Sequence, residues 1–186
     1  MVSFKSSLAA FVAALGIGST ASAAVVTISQ TFYNTSSSTR RFEMTVELPG
    51  TGIGSGGIEW RKVGGMAITL SDLNGNGATL TNAGQQPIYQ AKVDGALVKT
   101  LGAPGWQYLP LQAGPFDSAT TPVQNYNELL DANVNPGGAL TLSIAFELSA
   151  GDSASVNATF EVIPAPAPIA LLGIAGVMGR GRRRRA

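Results

Sequence analysis

From Leu140 to Leu148 every second residue is large and apolar (Leu140, Leu142, Ile144, Phe146, Leu148), with Thr141, Ser143 and Glu147 among the residues between them. A helix would scatter this pattern around its axis. In a strand successive side chains point to opposite faces, so the apolar set falls on one face and the polar set on the other. The same parity returns at Ala154, Val156, Ala158, Phe160 and Val162, beyond the turn-forming run Ser149-Ala-Gly-Asp-Ser153. Two upstream pairs repeat it. Val26, Ile28 and Phe32 are followed by Phe42, Met44, Val46 and Leu48 across the polar segment Asn34 to Thr39, and Met66, Ile68 and Leu70 are followed by Ala78 and Leu80 across Asp72 to Gly77. Each pair predicts a hairpin.

Between residues 85 and 135 the chain is divided by Pro87, Pro104, Pro110, Pro115 and Pro122, with Pro136 just beyond. Ile88 to Val93, Ala96 to Leu101 and Trp106 to Leu109 read as short strands, and Gln124 to Asn133 is the one candidate for a helical turn. The count of about eight or nine strands, each with one apolar face, predicts an all-β domain over residues 24–162, a single antiparallel β-sandwich. An up-and-down barrel is the alternative closure.

The chain contains no Cys and no His. That excludes disulfides, thiol nucleophiles, Ser-His-Asp triads and the ordinary zinc, copper and haem sites. Residues 24–162 carry six basic side chains (Arg40, Arg41, Arg61, Lys62, Lys92, Lys99) against all eleven acids, a net −5. Such a surface repels phosphate backbones, so no nucleic-acid partner is expected.

The two ends read as addresses. Lys5, the apolar run Leu8 to Gly18 and the small residues up to Ala23 follow the order of a secretory signal peptide over residues 1–23. Ala21 and Ala23 fit the small-side-chain requirement of a signal peptidase, which implies export through the Sec machinery and a mature chain starting at Ala24. At the other end, residues 163–186 place Pro164, Pro166 and Pro168 before the apolar run Ile169 to Gly179, and then Arg180, Arg182, Arg183, Arg184 and Arg185. Alternating prolines favour an extended segment, and the arginines hold their end of a short transmembrane helix on the cytoplasmic side. An eleven-residue run spans only about 16 Å as helix, against a hydrocarbon core of about 30 Å. It is a poor permanent anchor.

This order of proline motif, short apolar segment and arginine cluster, from Val162 onwards, resembles the PEP-CTERM sorting signal of exported proteins in many Gram-negative bacteria, with Pro-Ala-Pro standing where Pro-Glu-Pro is usual. The resemblance implies a transient inner-membrane intermediate with its Arg tail cytoplasmic. It further implies recognition by an exosortase-like membrane processing enzyme, and release or attachment of the body at the cell surface.

Within the body, Asp72-Leu-Asn74-Gly-Asn76-Gly77 matches the first half of a calcium loop, with Asp72, Asn74 and Asn76 at the first, third and fifth positions. The twelfth position is Ala83, where a bidentate carboxylate would be needed, and Asn-Gly between alternating runs is also a hairpin signal. The loop therefore reads first as a turn and second as a calcium site, the one cofactor candidate in the chain. Glycosidase chemistry needs two carboxylates about 5–9.5 Å apart. Glu43 and Glu47, on one face of one strand, stand about 13 Å apart by strand rise, and Glu147 and Glu161 share the solvent side of the closing pair. Neither set predicts an enzyme. Trp60, Trp106, Tyr108 and Tyr126 are candidates for stacking on sugar rings, with Trp60 and Trp106 expected to be partly exposed. Asn34-Thr-Ser36 and Asn157-Ala-Thr159 match glycosylation triplets. The expected function is that of a non-enzymatic, surface-displayed or extracellular-matrix protein of structural or adhesive type. The alternative is a carbohydrate-binding module for extracellular polysaccharide.

Overall fold

The computed structural model describes residues 23–50 and 59–165. The described residues form eleven β-strands and no helix: β1 (Ala24–Tyr33), β2 (Arg40–Leu48), β3 (Trp60–Ser71), β4 (Ala78–Asn82), β5 (Tyr89–Val93), β6 (Ala96–Leu101), β7 (Leu111–Ala113), β8 (Ser118–Thr120), β9 (Gln124–Leu129), β10 (Leu140–Leu148) and β11 (Ser153–Pro164). All pairings are antiparallel. One sheet runs β1-β11-β3, with β8 and β9 lying end to end along the far side of β3. The other runs β2-β10, then β5 and β4 side by side with different parts of β10, then β6 on β5 and β7 on β4. The arrangement is consistent with a β-sandwich.

The alternating residues face one shared core. Ile68, Leu70, Val156 and Phe160 of the first sheet pack with Leu80, Tyr89, Leu142, Ile144 and Phe146 of the second, all essentially inaccessible to water. Burying each such side chain contributes about 1.5–3 kcal/mol, which is the principal force holding the layers together. Towards one end Phe32, Phe42 and Phe146 bridge the two sheets with ring centroids 5.2–5.8 Å apart.

The three pairs expected to be hairpins are not hairpins. β1 and β2, β3 and β4, and β10 and β11 each divide between the two sheets, so the intervening segments are arches that carry the chain over the end of the core. A period of two cannot distinguish these cases, because an apolar face meets the core whether the next strand pairs beside it or packs opposite it. Antiparallel register puts all three arches at one end: Tyr33 lies beside Ser153 and Ser153 beside Ser71, while Arg40 lies beside Leu148 and Leu148 beside Leu80. The tight hairpin in the body is β5–β6, turning through Asp94 and Gly95 with φ of 47° and 78°, the left-handed values that a two-residue primed turn requires.

Two expectations in the proline-rich segment are corrected. Gln124 to Leu129 is strand β9 rather than a helical turn, because it completes the sheet edge along Arg61 to Met66. Trp106 to Leu109 is not a strand but part of a loop closed by Trp106 N–H to Ala103 O and Leu109 N–H to Trp106 O. The strand count exceeds the expected eight or nine because β7 and β8 are only three residues each, too short to show a period.

Candidate functional site

The two sheets expose different chemistry. On the second sheet the outward residues of β2 and β10 include Arg41, Glu43, Glu47 and Glu147, with Lys92 on β5. On the first sheet the outward positions are mostly uncharged hydroxyls and amides. Cross-strand register sets Thr27 beside Thr159, Ser29 beside Asn157 and Thr31 beside Ser155. Ser29 Oγ donates to Asn157 Oδ1 at 2.8 Å, and Thr31 Oγ1 and Ser155 Oγ share a hydrogen bond of 2.7 Å. Across β3, Thr69 and Thr120 are joined at 3.1 Å. The charges on this face, Arg61 and Glu161, lie towards one margin, where Arg61 donates from Nε to Asn127 Oδ1 and from Nη2 to Asn127 O.

A shallow groove of about 430 Å³ crosses this face, lined by Val63, Gly64, Asn125, Tyr126, Asn127 and Thr159. Beside it β3 carries two consecutive glycines, Gly64 at an inward position opposite Tyr126 and Gly65 at an outward position opposite Asn125. A Cβ on Gly64 would sit 2.6 Å from the Tyr126 hydroxyl and against the Thr159 carbonyl, and one on Gly65 would meet Gln124 O at 2.6 Å. Beneath it, Tyr89 of the second sheet reaches across the core to donate its hydroxyl to Thr159 O at 2.8 Å, and its oxygen lies 2.6 Å from the Tyr126 hydroxyl. Burial pushes the Tyr89 hydroxyl far above its ordinary range; burial likewise takes Tyr126 up to about 12. Both phenols are therefore neutral hydrogen-bonding groups at any physiological pH.

The arch end holds the expected calcium residues. Asp72 is buried, and its oxygens accept the N–H groups of Asn74, Gly75 and Phe116, at 2.6 Å from Phe116. Asn74 Oδ1 accepts Asn76 N–H at 3.0 Å, and its Nδ2 donates to Ala150 O at 2.8 Å. These are the bonds of an Asx-type turn that binds one arch to its neighbour. Asn34 and Asp152, unforeseen from the sequence, do the same work. Each continues the inward parity of its strand into the arch and is buried there. Asn34 Nδ2 donates to the carbonyls of Ser38, Leu148 and Ser149, and its Oδ1 accepts from Ser36. Burial therefore removes Asn34 as a glycosylation acceptor, whereas Asn157 is exposed. Asp152 Oδ2 accepts the Ser149 hydroxyl, while its Oδ1 has no partner among the described residues.

The Asp72 and Asp152 carboxyl groups influence each other's titration. Burial would raise Asp72, but the N–H groups of Phe116, Gly77 and Asn74 outweigh it and hold the carboxyl below its ordinary value. Burial raises Asp152; the Ser149 hydroxyl opposes this, and the neighbouring Asp72 reinforces it.

The opposite end of β3 is closed by Lys62. Its buried Nζ donates to Val98 O at 2.9 Å and lies 3.7 Å from both Glu128 and Asp131. Lys99 also bonds Glu128 and sits 5.2 Å from the Tyr126 ring centroid. The Lys99 bond, ahead of the other contacts, holds Glu128 below the usual carboxylate range.

Two of the four aromatic candidates are corrected. Trp60 and Tyr126 are only 5% and 7% exposed, because both take inward positions on their strands, and neither offers a ring face to solvent. Trp106 is half-buried and packs edge-on against the more exposed Tyr108 at 5.4 Å. Glu147 and Glu161 are likewise separated: their strands belong to different sheets, so they point out of opposite faces. Ala23 precedes β1, and Pro164 ends β11 opposite Trp60, with Ala165 N–H bonded to Glu59 O at 2.7 Å. Ala21, Pro166, Pro168 and the five tail arginines, Arg180 and Arg182 to Arg185, lie outside the described residues. Among the described residues no group of three or more acidic side chains is placed to hold a metal ion, and no helix is long and apolar enough to cross a membrane.

The chain matches no protein-family model, and no curated protein matches it significantly.

Proposed function

We propose that this is an exported, surface-displayed or matrix protein of structural or adhesive type, without enzymatic activity, whose tail is removed by an exosortase-like enzyme. The observation that carries the reading is the order of parts: signal-like residues 1–23, a β-rich body, then Pro-Ala-Pro, a short apolar run and five arginines. The body supports it physically. A core closed by buried Asn34, Asp72 and Asp152 at one end and by Lys62 at the other suits a durable spacer. A face made mostly of hydroxyls and amides suits contact with a hydrated matrix.

Membrane fractionation with N- and C-terminal mass spectrometry tests this reading. Mature protein at the cell surface is expected to start at Ala24 and to lack Arg180 to Arg185. A surface protein that keeps the whole arginine tail would make the tail an anchor, and a cytoplasmic chain retaining Met1 would end the export reading. A carbohydrate-binding role is the second reading, favoured by the groove over Gly64.

A further inference from the structure

We propose that the groove over Gly64, on the largely uncharged outer face of the first sheet, binds a neutral, hydroxyl-rich polysaccharide. This deepens the carbohydrate reading above and rests on it.

The body carries a net −5, and its acids on the sheet faces concentrate on the second sheet. The groove is lined by amides, a hydroxyl and small apolar groups; the charges beside it are Glu161, across from Val63, and Arg61, whose guanidinium is engaged by Asn127. An acidic polymer meets a repelling body and no cationic cluster on this face. A neutral polymer meets no such penalty, and desolvating amides and hydroxyls costs far less than desolvating ions.

Shape and chemistry then select a sugar. A pyranose ring presents a C–H face and a rim of hydroxyls, so its recognition needs a small apolar floor with donors and acceptors at the edge. Val63 and the bare backbone at Gly64 supply the floor, while the exposed Asn125 amide and Thr159 hydroxyl stand at the rim. Asn125 and Asn127 project from the same face of β9, about 6.8 Å apart by strand rise, so a chain lying along β9 meets the whole Asn125 amide and the Nδ2 donor of Asn127, whose Oδ1 is taken by Arg61. The volume of about 430 Å³ falls in the range of small-molecule sites. The floor is also stiff, because the Tyr89–Tyr126–Thr159 hydrogen bonds fix it from below, so little ordering cost falls on binding.

Affinity electrophoresis of the full chain, in gels containing neutral (dextran, galactomannan) or acidic (alginate, polygalacturonate) polysaccharide, tests the proposal. Retardation by a neutral polymer and none by the acidic ones is expected. Asn125→Ala and Thr159→Leu should each weaken binding by about tenfold or more, with Tm held near wild type. Thr45→Leu, at an exposed outward position of β2, should bind as wild type. Retardation by the acidic gels, binding indifferent to both groove substitutions, or no retardation in any neutral gel would overturn the proposal. A chain found at the cell surface that binds no neutral polymer would sink this inference alone. A chain confined to the cytoplasm would sink the export reading, while the gel result still judges the groove.

Discussion

Replacing Tyr89 by Phe isolates the hydrogen bonds that tie the two sheets together beneath the groove. The ring is fully buried and unchanged in volume, so no cavity opens and the effect falls on the hydroxyl. Two partners are left behind: the hydroxyl of Tyr126, a residue itself 7% exposed, and the second lone pair of Thr159 O. A buried polar group stripped of its partner costs about 1–3 kcal/mol, so with the carbonyl still in its ladder the sum is about 2–3 kcal/mol. For a body of this size that lowers Tm by roughly 8–12 °C. Tyr126→Phe removes only the outer member, leaving Tyr89 bonded to Thr159, and should cost about 1 kcal/mol. The double variant should lose less than the sum of the two, since removing both partners spares the orphaned hydroxyl, giving a coupling energy of about 1 kcal/mol. Urea unfolding of the four proteins, with calorimetry for Tm, measures each quantity. A Tyr89→Phe cost below about 0.5 kcal/mol, or strictly additive effects, would refute the claim that this bridge fastens the layers.

Gly64→Ala should destabilise by about 1–3 kcal/mol through overpacking against the Tyr126 hydroxyl and Thr159 carbonyl, and Tyr126→Phe should relieve part of the loss in the same unfolding assay. Because folded Asp152 is raised above the ordinary 3.8, its proton is lost more readily from the unfolded chain, so this group removes stability as pH climbs from about that value through its folded pKa. Asp72, held low, acts in the other direction and gives up stability as pH falls through its own folded pKa. Asp152→Asn keeps an acceptor for Ser149 and removes the ionisable group, so it should remove this decline in Tm with rising pH; an unchanged decline would show that Asp152 is not its source. Saturating calcium should leave Tm unchanged, since Asp72 and Asn74 already accept backbone N–H bonds. A rise of several degrees that disappears in Asp72→Ala would restore the cation reading.

The long strands and their inward faces are legible in the sequence, whereas the short β7 and β8, strand β9 and the loop at Trp106 to Leu109 are not. Leu140 to Leu148 and Ala154 to Val162 take the parity that their alternation demands, because side-chain direction in a strand is a local property of the backbone. The absence of His and Cys likewise removed whole classes of chemistry without reference to a fold. Pairing was decided only by the tertiary structure: three apparent hairpins became arches because alternation records that a face is buried, never what buries it. The arch-closing roles of Asn34 and Asp152 had a legible trace, a polar residue at the next inward position after an apolar series. That trace gains meaning only when the strand ends are known to meet at one end. The groove had none. Its lining comes from β3, β9 and β11, and beneath Gly64 packs a Tyr126 side chain that arrives 62 residues later in the chain. Such a site is a product of register between distant strands, which no local pattern encodes.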